Sequence, residues 1–350
     1  MQEKDLMKAA LVFGAMAAMI APAALAQTPK LVMEEMRVPA SDPGIEIYVR
    51  NKRPAEMGAF RPERTVLFVH GSTYPAETAF DLPLGGMSWM EYIAGRGYDV
   101  YLLDVRGYGK STRPKEMNEP PEANPPIVRT DTSVKDISSV VDFILKRRYF
   151  ARLNLLGWSW GTTMMATYAT QNPDKVERLV LYAPQWLRTT PLLIQPGTGP
   201  LGAYRIVRKD QARDRWLNGV PGNKKETLIP AGWFEQWADA TWATDPVGVQ
   251  LNPPGLRAPN GTLQDTAEFW AAGKPYYDPS RIIAPTLLVG GEWDRDLPAY
   301  MRHALFPLLV NSPGKRYVEL AEGTHTIVME KNRFKLFEAV QAFLDEAGRS

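Results

Sequence analysis

A chain of 350 residues, 45% hydrophobic and 23% charged, has ordinary globular composition and enough length to bury a core without disulfides or metals. Its net charge of +2, with no long run of like charge, gives no electrostatic footprint for nucleic acid. The absence of cysteine excludes disulfides and thiol catalysis, and three scattered histidines form no ligand cluster at standard spacing, so no metal and no cofactor is expected.

In chain order, residues 1–26 read as a signal peptide. Lys4 and Lys8 make a basic start that Glu3 and Asp5 dilute, and initiation at Met7 would remove both acids. An apolar stretch runs from Ala9 to Ala21, and Ala24-Leu25-Ala26 is a small-x-small cleavage site before Gln27. The apolar run is short for a spanning anchor and Pro22 breaks it. The expectation is export to the periplasm or medium, with no stable membrane anchor after cleavage.

The mature chain begins with predicted strands over 31–38 and 45–49. Short apolar runs follow at 65–69, 99–103, 153–156, 176–181, 285–289 and 316–320. Continuous runs of this length suit strands buried on both faces, as in a parallel sheet. Helical patterns lie between them at 133–149, 162–170 and 328–344; the first places Val134, Ile137, Val141, Ile144 and Leu145 on one stripe. Strands alternating with helices predict an α/β class with a doubly wound, mostly parallel sheet, whose functional residues collect at the carboxyl ends of strands. The segment 184–280 differs. Residues 184–279 hold twelve of the 30 prolines and six of the ten tryptophans, with no buried-strand run. This segment is read as a mainly helical cap inserted into a core formed by 27–183 and 281–350. Most of its tryptophans serve cap packing, while Trp186, Trp233 and Trp237, with Trp158 of the core, are candidates for lining a substrate pocket. The basic stretch 205–209 with Arg213 and Arg215 is interrupted by Asp210 and Asp214, and is read as a solvated helix face.

Chemistry concentrates at Gly157-Trp158-Ser159-Trp160-Gly161, between a predicted strand and a predicted helix. This is the setting of a nucleophile elbow, in which a tight turn presents a serine beside a helix N-terminus. A serine hydroxyl needs a base. His325 lies in a loop after the last predicted strand; His70, followed at once by Gly71, suits a backbone role in a tight loop, and His303 falls in a helical pattern as a surface residue. The base needs an acid to hold its tautomer. Asp294 follows the 285–289 strand, with Glu292 and Asp296 as alternatives, and the order Ser159, Asp294, His325 is that of one triad arrangement.

Together with Val69-His70-Gly71-Ser72 and Asp104-Val105-Arg106-Gly107-Tyr108-Gly109-Lys110-Ser111, these motifs resemble the α/β-hydrolase superfamily across nearly the whole mature length. The resemblance implies an oxyanion hole from the N–H groups of Ser72 and Trp160, and a structural role for the Asp104–Ser111 loop. Thr73 stands where the family's His-Gly-x-Pro has proline. The elbow also resembles that of the proline iminopeptidases. The expected activity is hydrolysis of a small apolar or aromatic carboxylic ester through an acyl-enzyme. One alternative is aminopeptidase action, for which Glu226, Glu235, Asp239 or Glu268 of the cap would hold a substrate ammonium. The other is a ligand-binding protein that keeps the fold with little turnover.

Overall fold

The computed structural model describes residues 29–194 and 199–346; the expected signal peptide lies outside the described residues. The strands are, in chain order, β1 (Leu31–Pro39), β2 (Glu46–Pro54), β3 (Thr65–Val69), β4 (Asp99–Leu103), β5 (Leu153–Trp158), β6 (Val176–Tyr182), β7 (Tyr204–Val207), β8 (Leu256–Pro259), β9 (Thr286–Gly291) and β10 (Arg316–Leu320). Eight of them form one sheet in the order β1-β2-β4-β3-β5-β6-β9-β10. Only the β1–β2 and β2–β4 pairings are antiparallel; the others are parallel. Every residue of β3, β4, β5, β6 and β9 is buried, which is why these segments are apolar without alternation.

The helices are α1 (Ala76–Phe80), α2 (Trp89–Ala94), α3 (Thr130–Arg148), α4 (Trp160–Gln171), α5 (Lys209–Trp216), α6 (Lys225–Leu228), α7 (Trp233–Trp242), α8 (Gly261–Asp265), α9 (Ala299–Leu305) and α10 (Phe334–Leu344). Side chains of α3, α4 and α9 enter the core cluster on one face of the sheet, and those of α1, α2 and α10 the cluster on the other. The stripe predicted on α3 is buried in full, from Val134 to Leu145. Each such aliphatic contributes roughly 1.5–3 kcal/mol by leaving water.

Two elements differ from expectation. Between β6 and β9 the chain forms α5–α8 and also the antiparallel ribbon β7–β8, which the sequence did not announce. Its strands have four residues each, and both carry a buried arginine, Arg205 and Arg257, that breaks the apolar pattern. The last helix begins at Phe334, after a single tight turn over Ile327–Met329. The interruption has a cause: Glu330 turns inward to accept from Thr324 N (3.3 Å), Thr324 Oγ1 and Trp216 Nε1 (3.0 Å).

Candidate active site

Ser159 lies between β5 and α4 with φ 59° and ψ −124°, a positive φ that is strained for any residue with a Cβ. The residues two positions to either side are glycines for steric reasons. A Cβ on Gly157 would lie 2.2 Å from the Gly161 carbonyl oxygen, and one on Gly161 would lie 2.6 Å from the Val69 and His70 carbonyl oxygens. Strand β3 and helix α4 can therefore touch backbone to backbone only without side chains there. Ser159 N–H donates to Tyr182 O (2.9 Å), fixing the turn to β6.

The loop after β10 brings His325 to this serine. Ser159 Oγ and His325 Nε2 are 2.9 Å apart, and His325 Nδ1 is 2.9 Å from Asp294 Oδ2. The fully buried Asp294 carboxylate also accepts from Leu297 N–H at 2.8 Å. With a carboxylate as its partner, Nδ1 carries the proton and Nε2 is left to accept from Ser159. Trp158 Nε1–H (3.1 Å) and Tyr182 O–H (2.7 Å) both donate to the His325 carbonyl, so the tryptophan before the serine holds the histidine loop. The alternative acids are engaged elsewhere. Asp296 accepts from Arg215 Nε at 2.8 and 3.0 Å, and Glu292 accepts from Glu322 N–H at 3.0 Å.

His70 has the backbone role anticipated for it. Its buried ring accepts from Val105 N–H at Nε2 (3.1 Å), so Nδ1–H donates to Gly71 O (2.7 Å). That carbonyl shares a trans peptide with Ser72 N–H, which must therefore point the opposite way from the imidazole. Gly71 abuts Ser159: a Cβ there would lie 3.0 Å from Ser159 Cβ. Ser72 lines the same cavity as Ser159, and its carbonyl is held from the far side by Tyr108 O–H (3.0 Å) and Arg205 Nη2 (2.8 Å). Trp160 is the first residue of α4, where backbone N–H groups have no intrahelical acceptor. Burial pulls His70 below the ordinary histidine range, to about 4. Between about 4 and 6.5 the folded chain keeps this ring neutral, whereas an unfolded chain, with its histidine near 6.5, takes up the proton. The stabilisation of up to about 3 kcal/mol is present above 6.5 and is lost as pH falls from there towards 4. The melting-temperature gap between the wild type and His70→Asn is expected to narrow across that window; a gap independent of pH would contradict this role.

The Asp104–Ser111 loop is structural. Asp104 accepts from Ala76 N–H (2.8 Å) and Lys110 N–H (3.0 Å), and Arg106 binds Asp136 and Asp42. His303 is exposed and contacts Tyr317.

A small cavity opens over Ser159 and His325, walled by Trp158, Tyr74, Trp216 and Trp237. Two of the pocket candidates are therefore misplaced. Trp186 packs on Tyr277, ring centroids 5.3 Å apart, and Trp233 sits under the Arg333 guanidinium at 4.4 Å; neither lines this cavity. The Trp160 indole is also turned away, donating from the core to Thr130 Oγ1 at 2.8 Å. Tyr74 and Trp216, the latter one of the six cap tryptophans, are not among the pocket residues expected from the sequence. Helical spacing from Trp237 offered a guide to neither, since one is on the β3–α1 loop and the other ends α5. The basic stretch is not a solvated face throughout either. Arg205 is buried and Arg215 is turned inward, the first bonded to Ser72 and Thr73 of the core and Pro259 and Asn260 of the cap, the second to Asp296 of the core. The four cap carboxylates named as candidates for an ammonium are away from the serine: Glu226 is exposed, and Glu235, Asp239 and Glu268 pair at the surface with Arg213, Lys209 and Arg129.

Residues 64–332 match the family model for the alpha/beta hydrolase fold, and the chain belongs to that family. A probable proline iminopeptidase from Leptolyngbya boryana is 25% identical over 170 residues, which are 48% of this chain and 44% of that protein. The match thus spans less than half of that relative. Among solved structures, a serine hydrolase involved in carbazole degradation superposes with a TM-score of 0.60 at 17% identity, over 90% of this chain and 100% of the other. A thermophilic esterase from Thermogutta terrifontis superposes with a TM-score of 0.53 at 15% identity, over 89% and 98% of the two chains. These likenesses establish the fold.

Proposed function

We propose that this α/β-hydrolase is an exported serine esterase that cleaves a small carboxylic ester bearing an apolar or aromatic group. The observation that carries this reading is the continuous hydrogen-bonded line from Ser159 through His325 to Asp294 at the floor of a tryptophan-walled cavity. Ser159 Oγ attacks the ester carbonyl while its proton passes to His325 Nε2, and Asp294 stabilises the imidazolium that forms. The N–H groups of Ser72 and Trp160 take the developing oxyanion, a contribution of about 3–4 kcal/mol for a donor of this kind. His325 then returns its proton to the leaving alkoxide oxygen. A water molecule, deprotonated by the same histidine, attacks the acyl-enzyme, and His325 returns that proton to Ser159 Oγ as the acyl–Oγ bond breaks and the acid leaves.

Aminopeptidase action is the second reading, favoured by the partial similarity to a probable proline iminopeptidase. It calls for a carboxylate facing the serine to hold an ammonium. The four candidates in the cap lie elsewhere, and Asp296, the carboxylate on the cavity wall besides the triad's own, is taken by Arg215. Ester hydrolysis is thus the better supported. A panel of p-nitrophenyl esters is expected to be turned over at least a hundredfold faster than proline and alanine arylamides. Faster arylamide cleavage would reverse the order of the two readings. Export is checked by fractionating cells and sequencing the mature N-terminus, expected at Gln27.

A further inference from the structure

Three arginines lie around the serine cavity and the groove beside it, and two of them lack a counter-ion among the described residues. Arg215 of α5 is matched by Asp296. Arg188 and Arg205, respectively 8% and 6% exposed, form no ion pair among the described residues. Arg188 donates to neutral oxygens only: Asp296 O (2.6 Å), Pro191 O (3.2 Å) and Thr190 (3.4 Å). Arg205 does the same, to Pro259 O (2.8 Å), Ser72 O (2.8 Å), Thr73 Oγ1 (2.9 Å) and Asn260 Oδ1 (3.3 Å). The Nε of each is buried with no acceptor among the described residues. Burial lowers both from the ordinary arginine range, Arg205 to about 10, which still leaves it charged at neutral pH.

Buried charge without a partner is costly, and proteins keep it where something else supplies the opposite charge. Facing Arg188 and Arg215 are the carboxylates of Asp296, paired with Arg215, and Asp294, committed to His325. Asp214 is exposed on the groove beside them, and Glu330 lies behind Trp216, bonded to its indole. Arg188 and Arg205 are therefore left with no carboxylate of their own among the described residues. A place for one adjoins the serine. Arg188 and Arg215 wall a small recess that reaches Ser159 and is bounded further by Gln185 and Thr262. Arg215 and Arg205 also line a groove that shares Thr73 and Tyr74 with the serine cavity.

We propose that the substrate carries a carboxylate, received in the recess between Arg188 and Arg215, while its ester carbonyl lies on Ser159. This inference rests on the esterase reading and narrows it: the apolar or aromatic group ends in an anion. The arginines attract the substrate through the groove and fix which end of it reaches the serine, since a guanidinium fork pairs with a carboxylate in one orientation.

The test compares the p-nitrophenyl monoester of glutaric acid with its neutral methyl ester, and separately follows binding without turnover. With wild-type enzyme, kcat/KM for the acid is expected to exceed that for the methyl ester about tenfold or more, the size of effect a charge-assisted hydrogen bond produces. Added salt should shrink the ratio, and Arg188→Gln should bring it close to one. The double variant Arg215→Gln/Asp296→Asn, which removes a cation without orphaning an anion, provides a second reading should Arg188→Gln fail to fold. In parallel, Ser159→Ala protein is titrated with benzoate and with benzyl alcohol by tryptophan fluorescence. Saturable binding of benzoate alone, weakened in Arg188→Gln, supports the anion site even if no ester is cleaved, an outcome that would remove only the esterase reading. Equal turnover of both esters with no saturable benzoate binding overturns the proposal and leaves the esterase reading standing. Displacement of benzoate by equimolar inorganic phosphate overturns the assignment to carboxylates.

Discussion

Ser159→Ala is expected to lower ester turnover about a million-fold, to the residue of activity that an oxyanion hole and binding alone sustain, and to abolish labelling by a fluorophosphonate. The hydroxyl that the change removes is the one hydrogen-bonded to His325 Nε2. The backbone turn has little reason to change. It is held by the Ser159 N–H bond to Tyr182 O and by the Thr162 N–H bond to Ser159 O, neither of which uses the side chain. The melting temperature should therefore stay within a few degrees of the parent. Turnover within tenfold of wild type, measured on the same ester, would remove Ser159 from the role of nucleophile.

Asp294→Asn is expected to lower kcat about ten-thousand-fold with little change in fold. One oxygen of Asp294 accepts from Leu297 N–H, and an asparagine can keep that bond with its carbonyl oxygen. Its amide nitrogen then faces His325 Nδ1 and donates to it. The imidazole is driven to the Nε2–H tautomer, which cannot accept the serine proton. A loss of less than tenfold in steady-state assays would exclude Asp294 as the orienting acid. Asp296 and Glu292 are poor substitutes, because both are already bonded away from the histidine.

The core sheet was legible because it is built from runs that every neighbouring element needs apolar. The runs at 65–69, 99–103 and 316–320 coincide with β3, β4 and β10 to the residue. The line of Ser159, His325 and Asp294 was legible for a related reason: each follows a strand of the parallel part of the sheet, so topology brings distant residues to one edge. What failed was the reading of side-chain direction outside that sheet. Trp158 and Trp160 flank the same serine, yet one walls the cavity and the other fills the core, because Trp160 already belongs to the helix. Trp233 and Trp237 share a helix and point to different neighbours. In the cap, Arg205 and Arg208 lie three residues apart on paper, while one is buried against Ser72 and the other is exposed. Those choices depend on which polar atoms other segments present, and a local pattern holds no record of that.

The pairing of Arg215 with Asp296 has a consequence for traffic through the molecule. It ties helix α5 to the loop that follows β9, two residues beyond Asp294. A hinged lid would have to break this largely buried ion pair at every cycle, whereas a fixed roof leaves it intact. The groove beside Leu192, Tyr204 and Arg205 shares Thr73 and Tyr74 with the serine cavity and offers a route in and out. Under that arrangement a filter selects by breadth and charge before chemistry begins. Enlarging the mouth, rather than reshaping the floor, becomes the direct way to admit bulkier molecules.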